Sequence, residues 1–334
     1  MSERLFELRR TTFDTPHFRG IEFIEAEAKS IINHVPGNYL PFEWTINVYR
    51  GCSHACSYCF ARATHTYMDM GAGRDFETKI VVKVNAPELL RKELRARRWK
   101  GDHIAMGTAT DPYQRAEGRY KLTRRVVETL VEFRNPFSIL TKGTLILRDL
   151  DLLVEAAQVT DVSTALSIGT LDEDVWRRSE PGTPHPRKRL EAVARLNDAG
   201  VPCNVLVAPV LPGISDSDEQ MQAVMSAALD AGATTVTPIL LHLRPKVRDV
   251  YMEWLALNYP DLVERYETAY RSAYGTKEDR ASFAERSRRA LDAARAQRPP
   301  RPARVPARFR ARERARERAR RARTELANEQ LSLL

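Results

Sequence analysis

Short apolar runs rich in β-branched residues alternate with longer amphipathic segments through the middle of the chain. The short runs predict β-strands, and the longer segments show helical periodicity. The six predicted strands are Thr45–Tyr49, His103–Thr108, Phe137–Lys142, Val162–Gly169, Cys203–Val210 and Thr235–Leu241. After a longer first interval, strand and helix repeat at roughly thirty-residue spacing, which indicates parallel strands joined by right-handed crossovers.

The helical pattern is clear in five of the segments between or after these strands. The predicted helices are 87–97, 122–134, 147–158, 185–200 and 215–232. Gly200 and Gly232 are expected to end two of them in the left-handed region, and Ser215 or Asp216 to cap the last. Periodicity leaves open whether the α/β fold is a doubly wound sheet or a complete or partial barrel. In each case the strand ends where helices begin are expected to carry the chemistry.

The regions on either side of the strand–helix repeat differ in character. The first 44 residues resemble an irregular extension, and the apolar pattern after Leu243 predicts one or two helices broken near Pro260. The last part is dominated by Arg, Ala and Pro, a composition that cannot bury enough apolar surface to fold alone. We therefore predict an N-terminal extension (1–44), a core domain (45–243), a C-terminal helical region (244–295) and an Arg-rich tail (296–334).

The charge of the chain is concentrated in that tail. The 334 residues carry a formal net charge of +9, and twelve Arg against two Glu lie between Arg298 and Arg323. The rest of the chain is therefore close to neutral, so nonspecific binding to nucleic acid is expected of the tail alone. The sequence lacks an apolar run long enough for a membrane span or a secretory signal, which predicts a cytoplasmic protein without membrane contact.

Three of the four cysteines lie in the stretch "YRGCSHACSYCFAR", spaced Cys52-x3-Cys56-x2-Cys59 directly after the first predicted strand. In a cytosolic protein this clustering indicates metal binding or catalysis rather than disulfides. Three interpretations remain open: buried structural thiols, a zinc site completed by His54, or an iron–sulfur cluster with one iron left without a cysteine. Cys203 begins a predicted strand and is expected to be a core residue.

The spacing, with the aromatic Tyr58 before the last cysteine, resembles the Cys-x3-Cys-x-aromatic-Cys motif of the radical S-adenosylmethionine (SAM) superfamily. The resemblance implies a partial (βα)6 TIM-like barrel with a [4Fe–4S] cluster on Cys52, Cys56 and Cys59. It also implies S-adenosyl-L-methionine on the open iron, with Tyr58 beside it. One electron from an external reductant of the flavodoxin or ferredoxin type would then cleave S-adenosylmethionine to a 5′-deoxyadenosyl radical that abstracts hydrogen from a substrate.

Further stretches between Ile46 and Leu241, among them "TATDPYQ" and "VLVAPVLPGISD", resemble the spore photoproduct lyase-like branch of the superfamily. The named lyase acts on DNA and uses another cysteine, downstream of the cluster, as a hydrogen donor. Between Cys59 and Cys203 this chain has none, so the substrate stays open, with nucleic acid as one option.

The resemblance also assigns residues to the parts of S-adenosylmethionine. Polar and glycine positions after the second strand would bind the amino group, a lysine the carboxylate, a serine the ribose or carboxylate, and an apolar segment the adenine. These residues are, in that order, Gly107, Thr108, Thr110 and Asp111; Lys142; Ser167; and Val207 to Pro209. Each also has a plainer interpretation from the residues alone: a turn at Asp111–Pro112, a solvated loop lysine, or packed core.

Two other functions remain as alternatives to a radical SAM enzyme. One is a zinc-stabilised nucleic-acid-binding protein, which would hold zinc and lose binding when the tail is removed. The other is a redox sensor or electron carrier with an open iron, which would not cleave S-adenosylmethionine.

Overall fold

The structure, a computed structural model, describes residues 9–16, 18–37 and 40–298. Its strands are β1 (Arg9–Thr12), β2 (Glu22–Ala26), β3 (Ile32–His34), β4 (Trp44–Ile46), β5 (Tyr49–Arg50), β6 (Lys79–Lys83), β7 (Ile104–Met106), β8 (Phe137–Thr141), β9 (Val162–Ser167), β10 (Cys203–Val210) and β11 (Val236–Leu240). Its α-helices are α1 (Arg74–Thr78), α2 (Ala86–Arg95), α3 (Arg115–Tyr120), α4 (Leu122–Glu132), α5 (Leu150–Val159), α6 (Glu173–Ser179), α7 (Pro186–Asp198), α8 (Asp218–Asp230), α9 (Pro245–Asn258), α10 (Val263–Ala269) and α11 (Lys277–Ala296). Short 3-10 helices span Phe60–Met68, Thr144–Asp149 and Pro260–Leu262.

The larger sheet has the strand order β3-β4-β7-β8-β9-β10-β11. From β4 to β11 all neighbouring strands are parallel, and β3 is antiparallel to β4. The parallel strands follow one another in chain order, as in a barrel wall, whereas a doubly wound sheet reverses its order at a switch point. The order, with β3 and β11 at the edges of the described sheet, confirms the predicted partial TIM-like barrel.

The first predicted strand, Thr45–Tyr49, is wrong as a single element. β4 ends at Ile46, and Tyr49 begins β5 in a different sheet. The break falls at Asn47, whose side-chain oxygen accepts a hydrogen bond from the Ala109 amide at 2.9 Å and whose carbonyl accepts one from Lys83 Nζ at 2.7 Å. These bonds replace the ladder that a continuous strand would need.

The prediction of an irregular N-terminal extension is also wrong. The described residues before position 44 include β1, β2 and β3, and a four-stranded sheet has the order β1-β2-β6-β5. This sheet includes β6, which the sequence did not predict as a strand. It places β5 directly before the cysteines, so the N-terminal region takes part in supporting the cysteine-bearing segment.

The five predicted helices all form, with boundaries shifted by a few residues. Gly200 and Gly232 have φ of +88° and +81°, which confirms both as left-handed helix ends. The predicted cap of α8 is wrong: Ser217 caps the helix in a capping box with Gln220. Ser215 is engaged elsewhere, since its hydroxyl accepts a hydrogen bond from the Leu211 amide at 2.9 Å.

The C-terminal helical region has the predicted break, with α9 and α10 separated by the 3-10 helix at Pro260–Leu262. α11 lies in the predicted C-terminal helical region, although no separate helix was predicted there, and it packs on α8, where Arg286 Nε donates to Asp218 Oδ1 at 2.7 Å. In the part of the chain that the structure describes, no helix is long and apolar enough to span a membrane. The three boundaries between the four predicted regions stay predictions, and the Arg-rich tail beyond Arg298 lies outside the described residues.

Candidate active site

The loop that carries the cysteines, residues 51–59 (the cysteine loop), lies at the carboxyl ends of the barrel strands. The side chains of Cys52, Cys56 and Cys59 line one cavity of about 220 Å³. The opposite walls are residues at the ends of β7, β8, β9, β10 and β11. The candidate functional residues therefore lie together at the carboxyl ends of the parallel strands, as the sequence pattern predicts.

Gly51 fixes the start of the cysteine loop. It has φ of +81°, and a Cβ at this position would lie 2.9 Å from the carbonyl oxygens of Phe76 and Lys79, so only glycine fits. Its own carbonyl accepts hydrogen bonds from Thr110 Oγ1 at 2.6 Å and Gln114 Nε2 at 2.9 Å. The loop is thus held by backbone on one side and by side chains that follow β7 on the other.

Burial dominates the electrostatics of the three thiols. It raises the pKa of Cys52, Cys56 and Cys59 above the ordinary value for a thiol. Thiolates in such a place need positive charge in contact with them, which a metal centre supplies. Among the described residues, no three His, Cys, Asp or Glu side chains converge on one ion position. A cluster does not require that convergence, since each thiolate binds a different iron, so three thiols around one cavity fit an iron–sulfur cluster.

All four positions predicted after β7, Gly107 to Asp111 without Ala109, line the cavity. Gly107 has φ of +88°, and its missing Cβ would lie 2.0 Å from the Leu140 carbonyl oxygen, so the close approach is to β8. Thr108 Oγ1 accepts a hydrogen bond from Asn47 Nδ2 at 3.0 Å. The Thr108 hydroxyl in turn lies 3.5 Å from Asn47 Oδ1, to which it donates.

Asp111 is the most strongly engaged of the four. Its carboxylate accepts hydrogen bonds from Thr141 Oγ1 at 2.6 Å and the Lys142 amide at 2.7 Å, and it lies 3.3 Å from His54 Nδ1. Burial alone raises the pKa of Asp111, but His54 and these donors outweigh it, so the pKa is lowered. In this structure Asp111 joins the cysteine loop to the end of β8.

Lys142 reaches across the cavity wall from the end of β8. Its ammonium donates to Ser167 Oγ at 2.8 Å, Glu180 Oε1 at 3.0 Å and the Ala208 carbonyl at 3.3 Å, and lies 5.5 Å from the centre of the Tyr58 ring. Its side chain is only 13% exposed, so the solvated loop lysine is not the correct interpretation. Lys142, Ser167 and Tyr58 all line the cavity, and their roles towards S-adenosylmethionine stay predictions.

Glu180 forms ion pairs with both Lys142 and Arg189 behind that wall. Tyr58 Oη donates to Glu180 Oε1, the oxygen that also accepts from Lys142, while Arg189 Nη2 contacts Oε2 at 2.5 Å. Burial raises the pKa of Glu180, but Arg189 and Lys142 together reverse this and hold the pKa well below its ordinary range. The group has two cations and one carboxylate, which favours an anion on the cavity side of Lys142.

The predicted apolar segment of β10 lies at the cavity with one exception. Pro209 lines the cavity together with Leu206 and Ala208, but Val207 does not, and it is 1% exposed within the main core. Successive side chains of a strand point to opposite faces, so Val207 faces the surrounding helices. The assignment of Val207 to the adenine site is therefore wrong.

Comparison with known proteins agrees with this geometry. A family model described as the radical SAM superfamily matches residues 46–224, more than half of the chain. The chain belongs to the radical SAM superfamily. As a radical SAM protein it is an enzyme, and its family implies an iron–sulfur cluster and S-adenosylmethionine.

Relatives of this radical SAM protein include a protein of Mycobacterium tuberculosis described as uncharacterized. It is 50% identical over 257 residues, which cover 77% of this chain and 76% of that protein. Among solved structures, spore photoproduct lyase complexed with dinucleoside spore photoproduct has a TM-score of 0.62 at 16% identity, over 82% of this chain and 79% of that chain. A substituted form of the lyase with bound AdoMet and dinucleoside spore photoproduct has a TM-score of 0.63 at 16% identity, over 86% and 85%. At this identity the likeness shows the shared fold.

Several residues of the radical SAM protein's site were missed from the sequence. Gln114, Glu180 and Arg189 support the site from behind, and His242 lines the cavity at the end of β11. For His242 a signal existed, because it directly follows a predicted strand. For Glu180 and Arg189 none did, because their contacts depend on the short helix α6, which the sequence pattern did not reveal.

Proposed function

We propose that Cys52, Cys56 and Cys59 hold a [4Fe–4S] cluster and that the rest of the cavity binds S-adenosylmethionine. The observation that carries the proposal is the single cavity: two buried thiols and the half-buried Cys59 on one wall, with Lys142, Ser167 and an apolar strand face on the others. Three thiolates leave one iron for another ligand. The polar end of the cavity suits the amino-acid part of a ligand, and the apolar end of the cavity suits a nucleoside.

When bound, the cluster and S-adenosylmethionine supply a one-electron cleavage that yields methionine and a 5′-deoxyadenosyl radical able to take hydrogen from a substrate. The chain's own part is to bind and orient. Lys142 carries the cation for a carboxylate, and a ligand there replaces one of the three bonds its ammonium now makes. Thr108 supplies a hydroxyl acceptor near the position proposed for the amino group.

The apolar wall has a separate task in this proposal. Leu206, Ala208 and Pro209 present a face without charged groups, and Leu241 extends it. Such a face packs against an adenine ring and excludes water from the reacting atoms. Excluding water strengthens the electrostatic hold of Lys142 on its partner.

The substrate and the reductant are further parts of the proposal. A flavodoxin- or ferredoxin-type protein would supply the electron, as resemblance to the family implies. Nucleic acid is a candidate substrate, supported by the fold likeness to a lyase solved with a dinucleoside photoproduct and by the Arg-rich sequence after Arg298. Cys203 is no candidate hydrogen donor, because it is fully buried and does not line the cavity.

The test uses a matched pair of cysteine substitutions. After anaerobic reconstitution, the wild-type chain should bind about four irons, as expected for a [4Fe–4S] cluster. Cys56→Ala should lose cluster absorbance and 5′-deoxyadenosine release while circular dichroism shows the barrel folded. Cys203→Ala, which removes a buried thiol outside the cavity, should keep both. Stoichiometric zinc without an iron chromophore in the wild type would refute the proposal.

A further inference from the structure

Residues 179–183, the sequence "SEPGT" (the clamp segment), lie directly against the cysteine loop although they are more than 120 positions away in the chain. The Ser57 amide donates to the Ser179 carbonyl at 2.9 Å, and the Gly182 amide donates to the His54 carbonyl at 3.0 Å. These two backbone bonds lie on either side of Cys56. The clamp segment therefore pairs with the part of the loop that contains the central cysteine.

The clamp segment also packs tightly against the backbone of the cysteine loop at Gly182. A Cβ at Gly182 would lie 2.1 Å from the Ser53 carbonyl oxygen and 2.9 Å from His54 Cα. Both neighbours are backbone of the cysteine loop and cannot rotate away as a side chain can. Any residue larger than glycine at position 182 must displace the loop between Cys52 and Cys56.

Glu180 adds a polar link to the same contact. Its Oε1 accepts from Tyr58 Oη, in the loop, and from Lys142 Nζ, on the opposite strand end. Its Oε2 is held by Arg189, which is 1% exposed and also donates to the Ser167 carbonyl at 2.8 Å. A carboxylate fixed by a buried guanidinium cannot easily follow a moving loop, so Tyr58 is tied to a rigid point.

We propose that the clamp segment is the positioning element for the cysteine loop, and that Glu180 extends its hold to Lys142. The inference rests on the proposed function, since the loop is assumed to carry the cluster. The clamp segment keeps the three thiols at the spacing that the cluster needs. Glu180 keeps the Lys142 ammonium at a fixed position relative to the cysteine loop. Ligand-supporting residues of this kind affect metal retention without touching the metal.

The first test measures iron release from the reconstituted holoprotein to an excess of chelator. Gly182→Ala should speed release about tenfold or more, since loss of ligand support typically lowers metal affinity by about 10- to 100-fold. Gly118→Ala is the matched control, because a Cβ there meets nothing within 4 Å. It should release iron at the wild-type rate. Release from Gly182→Ala at the wild-type rate would overturn the proposal.

The second test keeps the proposal falsifiable if Gly182→Ala fails to fold. Glu180→Gln retains the shape but not the charge. Glu173→Gln is its control, since Glu173 lies on α6 and is an exposed residue that pairs with Arg177 and His185. Glu180→Gln should speed iron release and change the electron paramagnetic resonance spectrum of the reduced cluster, whereas Glu173→Gln should change neither. A loss of thermal stability with an unchanged spectrum and release rate would mean a merely structural role and overturn the proposal.

A third variant examines the link itself. Tyr58→Phe removes the hydroxyl that reaches Glu180, so the double variant with Glu180→Gln should release iron no faster than the faster single variant. If the double variant instead multiplied the increases in iron-release rate of the two single variants, Tyr58 and Glu180 would act through independent contacts, which would contradict a single link. If the wild-type chain binds no iron at all, the proposed function fails first. If it binds iron and the variants match it, only the clamp inference fails.

Discussion

Lys142 brings a positive charge to a cavity that is also lined by the three thiols, the Asp111 carboxylate, hydroxyls and apolar groups. All three N–H donors of its ammonium are in use, and two of their acceptors, Ser167 and Ala208, lie on the neighbouring strands β9 and β10. This arrangement fixes the ammonium within a small volume at the polar end of the cavity. An anionic ligand group that replaces one of these partners meets a cation that is already oriented, which favours binding.

At the residue scale we therefore predict that Lys142→Met weakens binding of S-adenosylmethionine. A charge-assisted hydrogen bond contributes about 1.5–3 kcal/mol, so the Kd measured by calorimetry should rise by about tenfold or more. Decarboxylated S-adenosylmethionine should bind both forms equally. Lys188→Met, which changes an exposed lysine on α7, serves as the control. An equal loss of affinity for both ligands would assign Lys142 to something other than the carboxylate.

β10 shows which features of an element its sequence reveals. Its bounds, Cys203–Val210, were predicted correctly, because the run is mostly apolar and includes three β-branched valines. The residues of β10 that face the cavity were not predicted correctly. Both faces of a strand inside a barrel are apolar, so the alternation of apolar and polar residues that would distinguish them disappears. The short helix α6 was missed for a related reason: seven residues are too few for helical periodicity to show.

At the element scale we predict opposite effects for two adjacent residues of β10. Ala208→Leu fills part of the cavity and should reduce affinity for S-adenosylmethionine with little change in stability. Val207→Ala removes two buried carbons from the core and should lower the free energy of unfolding by about 2 kcal/mol, measured by denaturant titration, with unchanged affinity. The reverse pattern would mean that the faces of β10 are assigned the wrong way round.

The whole molecule combines a nearly neutral barrel with a strongly basic C-terminal sequence. The alternation of parallel strands with helices and the place of the cysteines were predictable from local patterns, whereas the barrel order of the strands was implied only by the family resemblance. The N-terminal strands and the contact between residues 51–59 and 179–183 were not, because distant segments meet there and neither segment shows it alone. In the sequence Gly182 looks like any loop glycine, and only the structure shows that it lies against the Ser53 carbonyl.

At the scale of the whole molecule we predict that removing residues 299–334 separates two activities. The deletion takes away eleven Arg and four Glu and lowers the formal charge from +9 to +2. Binding to single-stranded DNA, measured by fluorescence anisotropy at several salt concentrations, should weaken and lose most of its salt dependence. Cleavage of S-adenosylmethionine should persist. Unchanged DNA binding would place the contact on the barrel and contradict the charge argument.

The central claim is that the three cysteines of one cavity support reductive cleavage of S-adenosylmethionine. The most direct measurement incubates anaerobically reconstituted full-length protein with S-adenosylmethionine and dithionite and quantifies 5′-deoxyadenosine by mass spectrometry. We predict 5′-deoxyadenosine in the wild-type and Cys203→Ala proteins and none in Cys56→Ala. A wild-type protein with an intact, reducible cluster that forms no 5′-deoxyadenosine would contradict the account.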